Sequence, residues 1–190
     1  MSPPLITCRH HPSRVTRISL SEKPHCAPAL LRATRRRGNG RGAVLVAPDH
    51  RGAFLAFRRA AEAGDDGALL NLGVCYDNVT GTRRDRAKAW HCYHGLWRRT
   101  QQHAAANNLA TWHRDGGNQR RAFSWYQKAA DAGDGDAHVA LAYAYYYGLG
   151  TTKSLARALR ELNRADHTNA ITRFGQEEAL YLRAIVPTPY

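Results

Sequence analysis

After residue 50 the apolar positions recur at the spacing of helices, with no alternating pattern that would mark a strand. In one stretch Ala137, Leu141 and Tyr145 fall four residues apart on a single helical stripe, and Gly148 and Gly150 follow. Glycine accepts the positive φ that a helix C-terminus often needs, so the spacing predicts a turn there. A second amphipathic stretch, Ser154 to Ala165, places Leu155, Ala158, Leu159 and Leu162 on one face. Asp134 or Asp136 can cap the start of the first of these helices, and Gly133 can end the helix before it.

The pattern repeats. Ala60-Ala61-Glu62-Ala63-Gly64-Asp65 returns 69 positions later as Ala129-Ala130-Asp131-Ala132-Gly133-Asp134. The same offset pairs Phe54 with Phe123, Leu72 with Leu141, Tyr76 with Tyr145 and Gly81 with Gly150. An intermediate unit lies between them: Ala105, Leu109, Ala110 and His113 echo Ala68, Leu72, Gly73 and Tyr76 at offset 37. Ala122, Phe123 and Tyr126 echo Ala89, Trp90 and Tyr93 at offset 33. The difference between these offsets predicts that the middle inter-helix loop, around Arg114–Asn118, is four residues shorter than its counterparts. Small residues (Gly73, Ala110, Ala142) let helices approach closely, and Tyr76, Tyr93, Tyr126 and Tyr145 fill the space between repeats. The expected fold is all-α, an α-solenoid of about three helix-turn-helix repeats. An unpaired helix near Gly52–Ala63 opens it, and a helix over residues 170–184 closes it.

These spaced signatures resemble the Sel-one-like repeat family, relatives of the tetratricopeptide repeats. Ala68, Leu72, Gly73 and Tyr76 carry its first helix, and Gly148 and Gly150 its turn. Arg121, Ala122, Trp125, Tyr126, Lys128, Ala129, Ala130 and Gly133 carry its second helix. The resemblance runs from about Gly52 to Ala165. The chain departs from the family at His113, which stands where the tyrosine is expected, at Ala142 in place of the glycine, and at His94-Gly95-Leu96-Trp97 in place of Lys-Ala-Ala-Gly. The resemblance implies a non-enzymatic adaptor or scaffold that holds a protein or peptide on a concave helical surface. A cysteine-rich branch of the family, linked to β-lactam binding or hydrolysis, carries a disulfide in each repeat. This chain has no such regular cysteine pairs, so a hydrolase of that kind is the remote alternative.

The chain carries a formal net charge of +13, and residues 1–50 alone hold +7 of it. The densest run is Arg32, Arg35, Arg36, Arg37 and Arg41, which could contact nucleic acid through a salt-sensitive electrostatic attraction. Its competing reading is a solvated, disordered basic segment over residues 1–50, ahead of a solenoid over 51–185 and a short tail over 186–190. The 24 arginines against 4 lysines also fit a GC-rich coding sequence, which weakens the argument from charge. No apolar run approaches the roughly 20 residues that cross a bilayer, and Pro3, Pro4, Arg9, His10 and His11 break any apolar stretch of a secretory signal. A monomer in the cytoplasm is expected.

Several constellations carry ligand or nucleophile types without the spacing that chemistry needs. His91, His94 and His103 lie near Cys92, but no Cys-x-x-Cys or His-Glu-x-x-His motif completes a metal site. Cys8, His10, His11, His25 and Cys26 have no ligand spacing, and the Gly38-x-Gly40-x-Gly42 run is linker chemistry. Cys75 and Cys92 fall on partner helices, with Cys92 at the slot Trp125 fills in the next unit, so a buried small side chain is expected there. The four tryptophans sit at helical positions that core packing explains. No catalytic residue, cofactor or metal is expected. By helical phase, the residues expected to contact a partner are Asn71, Cys75, Asn107, Thr111, His138 and Tyr146.

Overall fold

A computed structural model describes residues 49–186. The compact unit that begins at His50 consists of consecutive helices, and the described residues contain no strand. They are α1 (His50–Glu62), α2 (Asp66–Asn78), α3 (Arg86–Thr100), α4 (His103–Asp115), α5 (Gln119–Asp131), α6 (Gly135–Tyr147), α7 (Leu155–Asp166) and α8 (Arg173–Ile185). Each packs on its neighbours in the sequence, which is the contact pattern of a solenoid. Three hairpins result, α2–α3, α4–α5 and α6–α7, with α1 before them and α8 after, as the periodicity predicts.

Side-chain caps fix where the helices start. The side chains of Asp65, Asp85, Asn118, Asp134, Ser154 and Thr172 each accept a hydrogen bond from the backbone N–H three residues on. Each satisfies one amide that the first turn leaves without a helical partner. Helix α4 lacks this device, since Gln102 makes no side-chain cap. Counting from the cap residue puts the repeats in register. Gly73, Ala110 and Ala142 share the eighth position, and α8 places Leu180 there.

That eighth position explains its small residues. A Cβ added at Gly73 would collide with the Tyr93 ring of the partner helix. Ala110 and Ala142 at the same place are fully buried. The core accordingly relies on alanines, with Ala106, Ala110, Ala122, Ala129, Ala130 and Ala137 forming one cluster around Tyr126 and Leu141. Backbones that approach this closely exclude water without large side chains. A second cluster joins α6, α7 and α8 through Val139, Leu162, Ala165, Ala179 and Leu182.

The turn glycines set the distance between repeats. Gly81 has φ +68° and lies against the His50 carbonyl at the start of α1. Gly150, 69 positions later, has φ +71° and lies against the Gln119 carbonyl at the start of α5. In both, an added Cβ would overlap that backbone oxygen. The middle hairpin is joined differently: residues 116–118 connect α4 to α5, against 79–85 and 148–154 in the outer two. The loop is thus shorter by the four residues that the sequence offsets require.

Gly150→Ala is expected to cost upward of about 3 kcal/mol, from the left-handed backbone and the collision together. Gly117 also has a positive φ but open space around it, so Gly117→Ala should lose only about 1–2 kcal/mol. Urea unfolding of the two variants measures the gap.

Candidate interaction surfaces

The first helices α2, α4 and α6 carry all six residues that helical phase selects for partner contact. Asn71 and Cys75 on α2 are buried, and the Asn71 amide donates to the Gly67 carbonyl at 2.9 Å. On α4, the Asn107 amide donates to the Asp134 carboxylate at 3.0 Å, and the Thr111 hydroxyl lies 3.5 Å from the Tyr126 hydroxyl. Both side chains are half-buried. On α6, His138 is buried against α7, its Nδ1 2.8 Å from a Glu161 carboxylate oxygen. Glu161 also accepts from Arg164 at 2.9 Å, so the buried carboxylate has two partners. Tyr146 is half-buried, with Lys153 5.5 Å above its ring and Tyr147 edge-on at 4.7 Å. The structure spreads the six over three helices, three of them beneath the surface and three at it.

Phase along one helix does not reveal what a neighbouring helix covers, and a richer surface lies beside Tyr146. Tyr143 and Tyr147 of α6 lie near Tyr181 of α8, with Tyr146 beside Tyr147. Tyr143 and Tyr147 stack 6.1 Å apart at 9°. The Tyr143 hydroxyl donates to the Glu178 carboxylate, and burial together with that carboxylate pushes the phenol well above its ordinary pKa. Tyr147, Leu180 and Tyr181 are about half or more exposed, at 47%, 68% and 49%. Exposed apolar side chains of this size mark candidate interaction surfaces. The sequence signal was available in the Tyr145-Tyr146-Tyr147 run, but pairing it with α8 needed the fold.

The other constellations separate. His94 stacks on Trp90 at 4.4 Å and His91 meets the same ring edge-on, while His103 points to Asp134 from a different helix. No group of His, Cys, Asp and Glu among the described residues could hold a metal ion. Cys75 and Cys92 are buried, and burial pushes the Cys92 thiol up to about 11, far from a nucleophile's range. Trp97 and Trp125 pack against the core, and Trp125 also lines, with Trp90 and Trp112, a cleft at its edge. Arg32, Arg35, Arg36, Arg37 and Arg41, with Cys8 and Cys26, lie outside the described residues. No described helix is long and apolar enough to cross a membrane.

Polar ties join helices at the starts of the first helices, within one hairpin for Arg99–Asp66 and between successive units for the others. Arg99 pairs with Asp66, and Asp136 accepts from the Thr172 amide at 2.9 Å and its hydroxyl at 3.1 Å. The His103 imidazole sits 3.2 Å from the buried Asp134 carboxylate, whose hydrogen bond raises the imidazole pKa against the opposing effect of burial. A raised pKa in the folded state means the tie stabilises fully below the ordinary value of 6.5 and is lost as pH rises through the raised value. NMR titration should place His103 above 6.5. Asp134→Asn should lower that value while keeping the helix cap, because an amide oxygen still accepts from Ala137 N–H.

A sequence model of the Sel1 repeat matches residues 33–65, 67–94, 103–134 and 135–160. The periodicity alone counts about three repeats, and the first of these four matches adds one by reaching back from α1 to residue 33, beyond the described residues. No curated protein matches the chain. Among solved structures, a Sel1 repeat protein from Oxalobacter formigenes superposes with a TM-score of 0.59 at 23% identity, over 72% of this chain and 63% of that one. A protective antigen of uropathogenic Escherichia coli strains, displaying an SLR fold, gives a TM-score of 0.56 at 26% identity over 62% of this chain and 26% of that one. The chain thus spans less than two thirds of either relative's length. With well over half of its residues inside the matched repeats, and the hairpins in the register those repeats require, the protein belongs to the Sel1 repeat family.

Proposed function

We propose that this protein is a non-catalytic scaffold that binds another protein on the face presented by its first helices, with the tyrosine cluster of α6 and α8 as the anchor. Sel1 repeats are in general modules of protein interaction. The observation that carries the placement is the exposure of Tyr147 and Tyr181, whose rings lie within electrostatic reach of each other. Tyrosine gives a large contact area with few rotatable bonds and a hydroxyl for a directed hydrogen bond, which is why it dominates interface hot spots. Asn107, Thr111 and Tyr146 extend the same layer and keep part of their surface in solvent. Asn71, Cys75 and His138 are buried in the same first helices.

Affinity purification of the full chain, with quantitative mass spectrometry, tests this placement. Tyr147→Ser combined with Tyr181→Ser should cut recovery of specific partners about tenfold, the usual effect of truncating an interface tyrosine. Arg160→Ser, on the exposed side of the second helix α7, should leave recovery unchanged. Equal recovery by all three proteins rejects the placement.

A further inference from the structure

Three positions meet at each junction between consecutive repeats: the fifth residue after the cap of a second helix, the eleventh of the next first helix and the third of the next second helix. At the first junction they are Phe54, Tyr76 and Lys88. The two rings meet edge to face at 5.5 Å, with the ammonium 5.5 Å over Tyr76. At the last junction they are Phe123, Tyr145 and Arg157, with the rings at 5.3 Å and the guanidinium 5.6 Å over Tyr145. A flat phenol ring is thus held between an aromatic edge and a cation, each attracted to the ring by its quadrupole.

The middle junction carries Trp90, His113 and Arg121 at the same three places. Imidazole is shorter than phenol, and the His113 ring turns edge-on to its neighbour Trp112 at 5.0 Å. Where the flanking junctions are filled by tyrosine, a cleft of about 390 Å³ opens here. Besides Trp90, Trp112, His113 and Arg121, its walls are His94, Ser124 and Trp125. No carboxylate lines it. His113 is only 7% exposed and sits at the inner wall of this cleft. The Arg121 guanidinium has no ion-pair partner among the described residues. A second guanidinium, that of Arg86, lies 5.0 Å over the Trp112 ring. Burial and these two arginines hold the His113 pKa below its ordinary value, so the site concentrates positive potential.

We propose that this cleft binds a planar aromatic ring bearing an anionic group. The ring takes the place that the tyrosine ring holds at the flanking junctions, and the anion meets Arg121 and His113. Three indoles supply flat apolar walls, and every free polar group at the rim can donate a hydrogen bond, so both halves of such a ligand are matched. The volume suits a small molecule with one ring system. The second helices α3 and α5 and the end of α4 build the site, so it does not depend on the tyrosine surface proposed for protein binding.

Calorimetric titration of the full chain tests it, with indole-3-acetate and adenosine monophosphate as anions and indole-3-acetamide and adenosine as their neutral counterparts. At least one anion should bind at a single site, and its neutral counterpart about tenfold or more weakly. Arg121→Ala should weaken the anion by a similar factor. His113→Tyr installs the residue of the flanking junctions, and should abolish binding without lowering the melting temperature. Should His113→Tyr lose helicity, Ser124→Trp at the exposed rim fills the same space and is read instead. Binding of indole-3-acetate alone assigns a carboxylate ligand, and of adenosine monophosphate alone a nucleoside phosphate. Failure of both anions to bind overturns the proposal. So does equal binding of anion and neutral counterpart, or binding that survives the cleft-filling variant.

Discussion

The spacing of this solenoid depends on a backbone-to-backbone contact. A turn glycine with positive φ seats against the first carbonyl of the preceding second helix, at Gly81 on His50 and at Gly150 on Gln119. No side chain intervenes, so the separation of the helices is fixed by atoms that mutation cannot trim further. The rest follows from that closeness. Alanine suffices as core filler, Gly73 is needed where Tyr93 crosses, and an edge-to-face aromatic pair closes each outer junction. Polar groups at the helix starts then need local partners, which the caps and the Arg99–Asp66, His103–Asp134 and Asp136–Thr172 ties provide.

Much of this was legible in the residues because a repeat writes the same constraint more than once. The offset of 69 joins Phe54 to Phe123, Tyr76 to Tyr145 and Gly81 to Gly150, and all three pairs occupy equivalent contacts. The shortened middle loop was legible from two unequal offsets, since chain length leaves no other place for four missing residues. The family followed from the order of the signatures. The residue 33 boundary of the first matched repeat was not legible, because Arg36-Arg37-Gly38-Asn39-Gly40-Arg41 lacks any apolar stripe.

The candidate sites were harder to read, for a physical reason. Periodicity tells which side chains share a stripe on one helix, but burial depends on what the adjacent helix brings to that stripe. Asn71 and Asn107 look alike in sequence, yet one lies in the interior and the other at the surface beside Asp134. The tyrosine cluster joins residues more than thirty positions apart. The cleft comes from a substitution whose meaning is visible only by comparison: His113 for tyrosine reads as a lapse from the repeat pattern until Trp90 and Arg121 are seen beside it.

Leu180 occupies the position that Gly73, Ala110 and Ala142 hold in the other first helices, and it is 68% exposed where they are buried. A second helix cannot cross α8 at the spacing used elsewhere, because the isobutyl group stands where its side chains would pack, as the Tyr93 ring does over Gly73. For anyone who would lengthen the array by grafting another hairpin after α8, this one residue is the gate. Trimming it to alanine would convert a face that now meets solvent into one able to accept a neighbour.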